Sequence, residues 1–279
     1  MGSEVRAAEW DVGAGIGASI EYTDNVCLSS DNEEGDWVGK VTPDVDITGS
    51  GNKANVSLRG SVELNTLSDS DLEDQGCGGR GVYSNRDQFA PDLSATADAI
   101  LVDNWLFIDA DASARQNSVS PFGAGGGDSL DRRGNSNTTY RYSVTPYIER
   151  SFKDAADLEL RYTYDEQYNS KDIVGDSSEQ TVLFNLASGP RFAPISWGLQ
   201  GDYSKVEYDA RQDNELNRNR DSELKSARLN LGYQFDRVWQ INGYIGQEWN
   251  DFVSFRDDID GEFWDVGFRW TPNERTVVE

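Results

Sequence analysis

Histidine is absent from the 279 residues, methionine occurs once, at the first position, and cysteine occurs twice, at Cys27 and Cys77. Without an imidazole, Ser-His-Asp and Cys-His hydrolysis, histidine-ligated haem and histidine-containing zinc sites are excluded. Two cysteines outside any C-x-x-C pair exclude an all-cysteine zinc site, an iron–sulfur cluster and thioredoxin-like redox chemistry. Basic residues are also scarce: 25 Lys and Arg stand against 50 Asp and Glu, a formal charge of −25. A chain so short of cations has no surplus with which to displace the counterions of a phosphate backbone, so nucleic acid is excluded as a partner. No run approaches the roughly 18 apolar residues of a helical membrane span. A mean hydropathy of −0.67 is thin for a large soluble core.

Aromatic residues, by contrast, make up 11% of the chain and include eight Trp, which argues against an unstructured acidic tail. The dominant pattern has a period of two. Val12, Ala14, Ile16, Ala18, Ile20 and Tyr22 alternate with Asp11, Gly13, Gly15, Gly17, Ser19 and Glu21. The same alternation runs through Val56 to Leu64, Leu106 to Ala114 and Leu158 to Tyr164. Successive strand side chains point to opposite faces, so each run predicts a ribbon with one apolar and one polar face. Twelve such strands are predicted, near 10–23, 36–48, 53–67, 88–101, 105–118, 138–151, 156–168, 179–188, 195–208, 223–235, 238–250 and 262–270. The links alternate long and short, placing elaborated loops on one rim and tight turns on the other.

Trp10, Trp105, Phe152, Phe192, Trp197, Phe235, Trp239 and Trp270 fall near the short-turn rim; Tyr22, Trp37, Tyr164, Tyr203, Trp249 and Trp264 fall nearer the long-loop rim. Two aromatic belts, long strands and sequential hairpins predict an all-β, antiparallel, up-and-down transmembrane β-barrel in the outer membrane. In such a barrel the apolar face meets lipid and lipopolysaccharide, and closure removes the strand edges. A secreted carbohydrate-binding β-sandwich shares the alternation and is the soluble alternative. Residues 1–8, opening with Met1-Gly2-Ser3, read as a cloning remnant and N-terminal tail, any export signal having been removed, and residues 9–279 as one barrel domain. After Trp270, Thr271-Pro272-Asn273-Glu274 reads as a turn and Arg275 to Glu279 as the start of a further strand. Either strand 12 closes onto strand 1, or the chain is the front of a larger barrel.

Three stretches, Gly15 to Asn25, Asp103 to Ala110 and Trp270 to Thr276, resemble outer-membrane proteins associated with the PEP-CTERM system of Gram-negative bacteria. The resemblance implies an outer-membrane barrel, porin-like in form, linked to exopolysaccharide and cell-envelope biology, with an envelope or polysaccharide-export component as partner.

On the polar parity, Asp44, Asp46, Arg59, Glu63, Asp92 and Asp98 project toward the expected lumen. So do Asp109, Asp111, Arg115, Arg141, Glu149, Asp157, Glu159, Arg161, Arg228, Asp265 and Arg269. Such a lining supports two readings: a cation-favouring channel or export conduit, or interdigitated ion pairs that brace the wall of a nonconducting scaffold whose loops bind a partner. Cys27 and Cys77 lie in two loops of the same rim, and in an oxidising compartment they are candidates for a disulfide, the alternative being two free thiols. Acidic runs at Asp69, Asp71, Glu73 and Asp74, and at Asp257, Asp258, Asp260 and Glu262, offer oxygen ligands for Ca²⁺, although neither matches an EF-hand and solvated loops explain them equally. No other metal or cofactor is expected. Asp109 and Asp111 are two apart on one strand and point the same way, unlike the flanking carboxylates of a glycosidase, so no enzymatic activity is expected.

Overall fold

A computed structural model describes residues 8–25, 35–68, 89–118, 136–170, 175–209, 221–252, 258–273 and 276–278. Twelve long strands form where the alternation places them: β1 (Glu9–Thr23), β2 (Asp36–Ser50), β3 (Ala54–Leu67), β4 (Phe89–Val102), β5 (Leu106–Ser118), β6 (Ser136–Ser151), β7 (Ala156–Asn169), β8 (Ser177–Ser188), β9 (Ile195–Tyr208), β10 (Ser222–Gln234), β11 (Trp239–Phe252) and β12 (Ile259–Asn273). A short β13 (Thr276–Val278) follows, and a 3₁₀ turn, Pro190–Phe192, links β8 to β9.

The strands pair in sequence order from β1 to β13, and that order does not close. Among the described residues no rung joins β1 to β12 or β13, so the expected transmembrane barrel, and with it a porin-like form, is not what the chain adopts. The physical reason lies at the far edge. β13 returns along β12, with Trp270 opposite Val278 and Asn273 opposite Thr276, and so occupies part of the edge that closure would have offered to β1.

The chain divides into two compact units. The first comprises Met1–Asp98, Ala110–Tyr142 and Gln167–Val174; the second comprises Ala99–Asp109, Ser143–Glu166 and Gly175–Glu279. In the first unit β1 runs antiparallel to β2 from Glu9 opposite Ser50 to Thr23 opposite Asp36, which puts Ala14 beside Val45 and Gly13 beside Asp46. The β2–β3 ladder omits its rungs between Val41–Leu64 and Asp44–Ser61, where Pro43 has no N–H to donate. In the second unit β8 to β12 are joined by uninterrupted antiparallel ladders.

The short turns have recognisable local causes. Between β4 and β5, Trp105 N–H donates to the Val102 carbonyl at 3.0 Å, with Asn104 at φ 59°. Between β10 and β11 the Asp236 carboxylate accepts from the N–H groups of Val238 and Trp239 at 2.7 and 2.9 Å, the local capping that makes Asp a turn former. Gly189 lies against the β6–β7 turn: its N–H donates to the Ala155 carbonyl at 2.9 Å, and a Cβ there would stand 2.2 Å from the Asp154 carbonyl oxygen.

Hydrophobic burial is nearly absent. Val38 and Ala114 make up the buried hydrophobic core among the described residues. Pro91 is buried as well, and the remaining buried side chains among the described residues are polar, among them Asp36, Asn65, Gln116, Asn137 and Asn169; these five sit at strand ends beside the long connections.

Candidate functional site

Two faces carry the chemistry. The apolar parity is exposed in both units. On β1, Val12, Ile16 and Ile20 are 64, 75 and 76% exposed. In the second unit the registers align this parity into rows. Leu186, Leu199, Leu229, Ile245 and Trp264 lie side by side. The next row toward the short turns holds Trp197, Leu231, Gly243 and Val266, and beyond it come Ile195, Tyr233, Ile241 and Phe268. A shallow apolar depression of about 590 Å³ opens among these rows, lined by Leu229, Leu231, Ile241, Ile245 and Val266. Ile245 and Val266 remain 60 and 67% exposed.

At the short-turn end the rows finish in rings. Trp239 stacks on Trp270 with centroids 5.2 Å apart and planes 13° apart, and Phe268 tilts against Trp239 at 5.0 Å. Phe192 meets Trp197 edge-on at 5.5 Å, and Phe235 meets Tyr233 at 4.6 Å. Phe152 and Trp105 are exposed at their own turns. In the first unit the ring of Trp10 covers Gly49, where a Cβ would lie 2.6 Å from it. At the other end Tyr22 and Trp37 are register partners with centroids at 5.2 Å, and the Tyr164 hydroxyl donates to Glu166 at 2.7 Å. Trp264 sits in the aliphatic row of Ile245, inside the zone whose margin Tyr203 and Trp249 mark.

The polar parity is laced by ion pairs. In the first unit Asp46 and Arg59 are direct cross-strand partners at 2.6 Å. Arg115 reaches Asp92 at 3.4 Å, and Asp98 accepts from the Asn55 amide at 2.9 Å. Asp44 faces Gly15, and Glu63 accepts from Asn65 at 3.1 Å. In the second unit Arg161 is the hub. Its guanidinium pairs with Glu159 on its own strand, Glu149 at 3.3 Å and Asp109 at 3.6 Å, and lies 3.9 Å over the ring of Tyr147. Tyr147 in turn stacks on Phe107 with centroids at 5.2 Å. Arg228 donates to Gln200 and lies 5.2 Å from the Tyr244 ring. Asp111, Arg141, Asp157, Asp265 and Arg269 are exposed. The structure thus gathers Asp109, Glu149, Glu159 and Arg161 into one cluster, whereas Asp44 and Asp46 keep different partners.

Two features escape the alternation rule. Tyr147, an aromatic on the charged parity, is the platform under Arg161. On β10 the apolar parity Leu231, Leu229, Ala227 turns abruptly to Lys225 and Glu223, a change visible in the sequence as a break in hydrophobicity within one parity.

Cys27 and Cys77 lie outside the described residues, and no disulfide occurs among the described residues, so the expected cross-loop bridge is not part of the described structure. Asp69, Asp71, Glu73, Asp74 and Asp257 also lie outside. Asp258, Asp260 and Glu262 are exposed, and no group of three metal-binding side chains is assembled among the described residues.

No protein-family model matches the chain, and no curated protein matches its sequence. Among solved structures it is similar to the outer-membrane protein OmpT of Vibrio cholerae, folded in vitro, at 12% identity and a TM-score of 0.41, over 96% of this chain and 99% of that one. The trimer form gives 11% identity and 0.38 over 95% and 99%, and a loop L8 deletion mutant gives 12% and 0.37 over the same shares. The likeness is to an outer-membrane β-structure, it is weak, and it does not single out the exopolysaccharide-associated family that the three sequence stretches suggested.

Proposed function

We propose that the chain is a noncatalytic structural scaffold of the bacterial outer membrane. Its aliphatic parity lies against lipid hydrocarbon, its charged parity is braced by ion pairs, and its long connections are available to another envelope component or to lipopolysaccharide. The observation that carries this reading is the inversion of burial: Ile16, Ile20, Ile245 and Val266 stand exposed while, among the described residues, Val38 and Ala114 are the buried hydrophobic core. Water against that many contiguous aliphatic groups costs roughly 25 cal/mol for each Å², and hydrocarbon removes that cost.

The expectation of a channel or export conduit is set aside, because among the described residues the strand order from β1 to β13 has no closing rung. The polar face is accordingly a brace, with Arg161 holding carboxylates from three strands together. A free strand edge in hydrocarbon costs several kcal/mol for each unsatisfied N–H or C=O. The reading therefore requires the outer edge of β1 to be paired when the chain is in lipid.

Flotation with phosphatidylcholine vesicles tests the proposal, combined with planar-bilayer recording. Carbonate-resistant co-flotation with a closed electrical baseline is expected. A chain that stays at the bottom of the gradient, monodisperse without detergent, overturns the membrane assignment, and reproducible single-channel steps overturn the nonconducting one.

A further inference from the structure

The lipid-facing parity of β9, β10 and β11 does not remain apolar to its end. Beyond the row of Leu199, Leu229 and Ile245 comes Gly201, Ala227 and Gln247, then Tyr203, Lys225 and Trp249. Lys205, Glu223 and Asp251 form the next row, and Glu207 lies one step further along β9. The charges are paired within the face. Lys225 Nζ is 2.8 Å from Asp251 and 3.0 Å from Glu223, Lys205 Nζ is 2.9 Å from Glu207, and the Lys225 ammonium is 5.9 Å from the Tyr203 ring.

We infer that this ladder is the membrane stop of the second unit: lipid contact ends at the row Tyr203, Lys225, Trp249, and the ion pairs beyond it lie among the phosphate-bearing headgroups of the adjoining leaflet. The inference rests on the scaffold reading and adds to it the depth at which the sheet sits. Length supports it. Trp239 and Trp249, on one face of β11, are about ten residues apart, which is roughly 33 Å of strand and about 25 Å along the membrane normal for a strand tilted by roughly 40°. That height matches the apolar band of a membrane-crossing β-sheet. Charge supports it as well. Ammonium groups of Lys205 and Lys225 alternate with carboxylates of Glu207, Glu223 and Asp251, a strip of both signs that complements zwitterionic headgroups and is excluded from hydrocarbon. The lysine stems let the ammonium groups reach outward while their methylenes cover the last apolar row. The strip is also continuous with the aliphatic rows, so no second layer of protein is needed to explain where the apolar surface stops.

The test is bilayer thickness. The chain and two variants are incorporated into phosphatidylcholine vesicles with acyl chains of 12 to 20 carbons, and incorporation is measured for each. Replacing the stop by leucine (Lys225→Leu, Glu223→Leu and Asp251→Leu together) lengthens the apolar band by about one row, so the optimum shifts toward thicker bilayers by roughly 5 Å. Leu229→Lys shortens the band, so the optimum moves toward thinner bilayers. Opposite shifts of the two variants are the expected result. Incorporation of both with the parent optimum unchanged overturns the stop while leaving the scaffold reading standing. Failure of the parent chain to enter vesicles of any thickness overturns the scaffold reading itself. If the triple variant does not fold, the Leu229→Lys optimum decides alone, and an unshifted optimum overturns the inference.

Discussion

The guanidinium of Arg161 lies 3.9 Å above the ring of Tyr147, where it ties β7 to β6 while its nitrogens reach carboxylates on both strands and on β5. This one side chain offsets three negative groups, and its removal leaves Asp109, Glu149 and Glu159 facing one another. Arg161→Met is expected to lower stability by about 1–2 kcal/mol, read as a shift of the denaturant midpoint in detergent. Adding Glu159→Gln should recover part of that loss. The exposed pair Asp46–Arg59 is a contrast, and Arg59→Met should change stability by no more than about 0.5 kcal/mol.

Gly189 gives a steric prediction. A Cβ there meets the Asp154 carbonyl oxygen at 2.2 Å, and both atoms belong to turns that have little freedom to retreat. Gly189→Ala should cost about 2 kcal/mol or more, whereas Gly261→Ala, with nothing within 4 Å of the new methyl, should be within about 0.5 kcal/mol of the parent. Thermal or denaturant unfolding of the two variants side by side checks the contrast.

The free edge of β1 makes a prediction about backbone protection. Alternate N–H groups of an edge strand point away from its neighbour, so alternate amides between Glu9 and Thr23 should exchange at least about a hundredfold faster in detergent than those of β10, which is paired on both sides. Incorporation into vesicles should slow the β1 amides, because the edge must then be paired. Uniform protection of β1 in detergent contradicts the open strand order.

A charge placed in the aliphatic rows should act on membrane entry rather than on hairpin pairing. Ile245→Lys is expected to weaken insertion by about 2–4 kcal/mol if the residue sits near the bilayer midplane, measured by partition between detergent and vesicles. The equivalent change at the exposed, polar-parity Asp111 should leave insertion unaltered.

Strand positions were legible because alternation is a local property: Val12 to Tyr22 and Leu158 to Tyr164 each declare which side is apolar, and twelve long strands form close to the expected ranges. Turn positions were legible as the short gaps between predicted strands, 102–104 and 236–237, where Asn104 and Asp236 form the turns. Closure was not legible. It depends on register between segments at opposite ends of the sequence, and alternation carries no information about which edge β1 meets. The sequence placed a turn at Thr271 to Glu274, whereas β12 runs on through Asn273, and the return of β13 along β12 bears on closure in a way that only the register reveals. Individual partners were equally hidden. Arg161 could be placed on the polar parity, yet its choice of Tyr147, Glu149 and Asp109 follows from the lateral alignment of three strands. The Lys225 and Glu223 break lay in plain view on β10 but has meaning only when Lys205 and Asp251 are seen in the same row.

Whether hydrocarbon covers the aliphatic parity is read out by the accessibility of nitroxide labels in vesicles. Labels are placed singly at Ile16, Ile245, Asp46 and Asp98 with Cys27 and Cys77 replaced by serine. Labels at Ile16 and Ile245 are expected to collide with dissolved oxygen and to be shielded from a water-soluble nickel chelate, with the reverse at Asp46 and Asp98. Labels at Ile16 and Ile245 that the chelate reaches freely, or that both reagents fail to reach, contradict it.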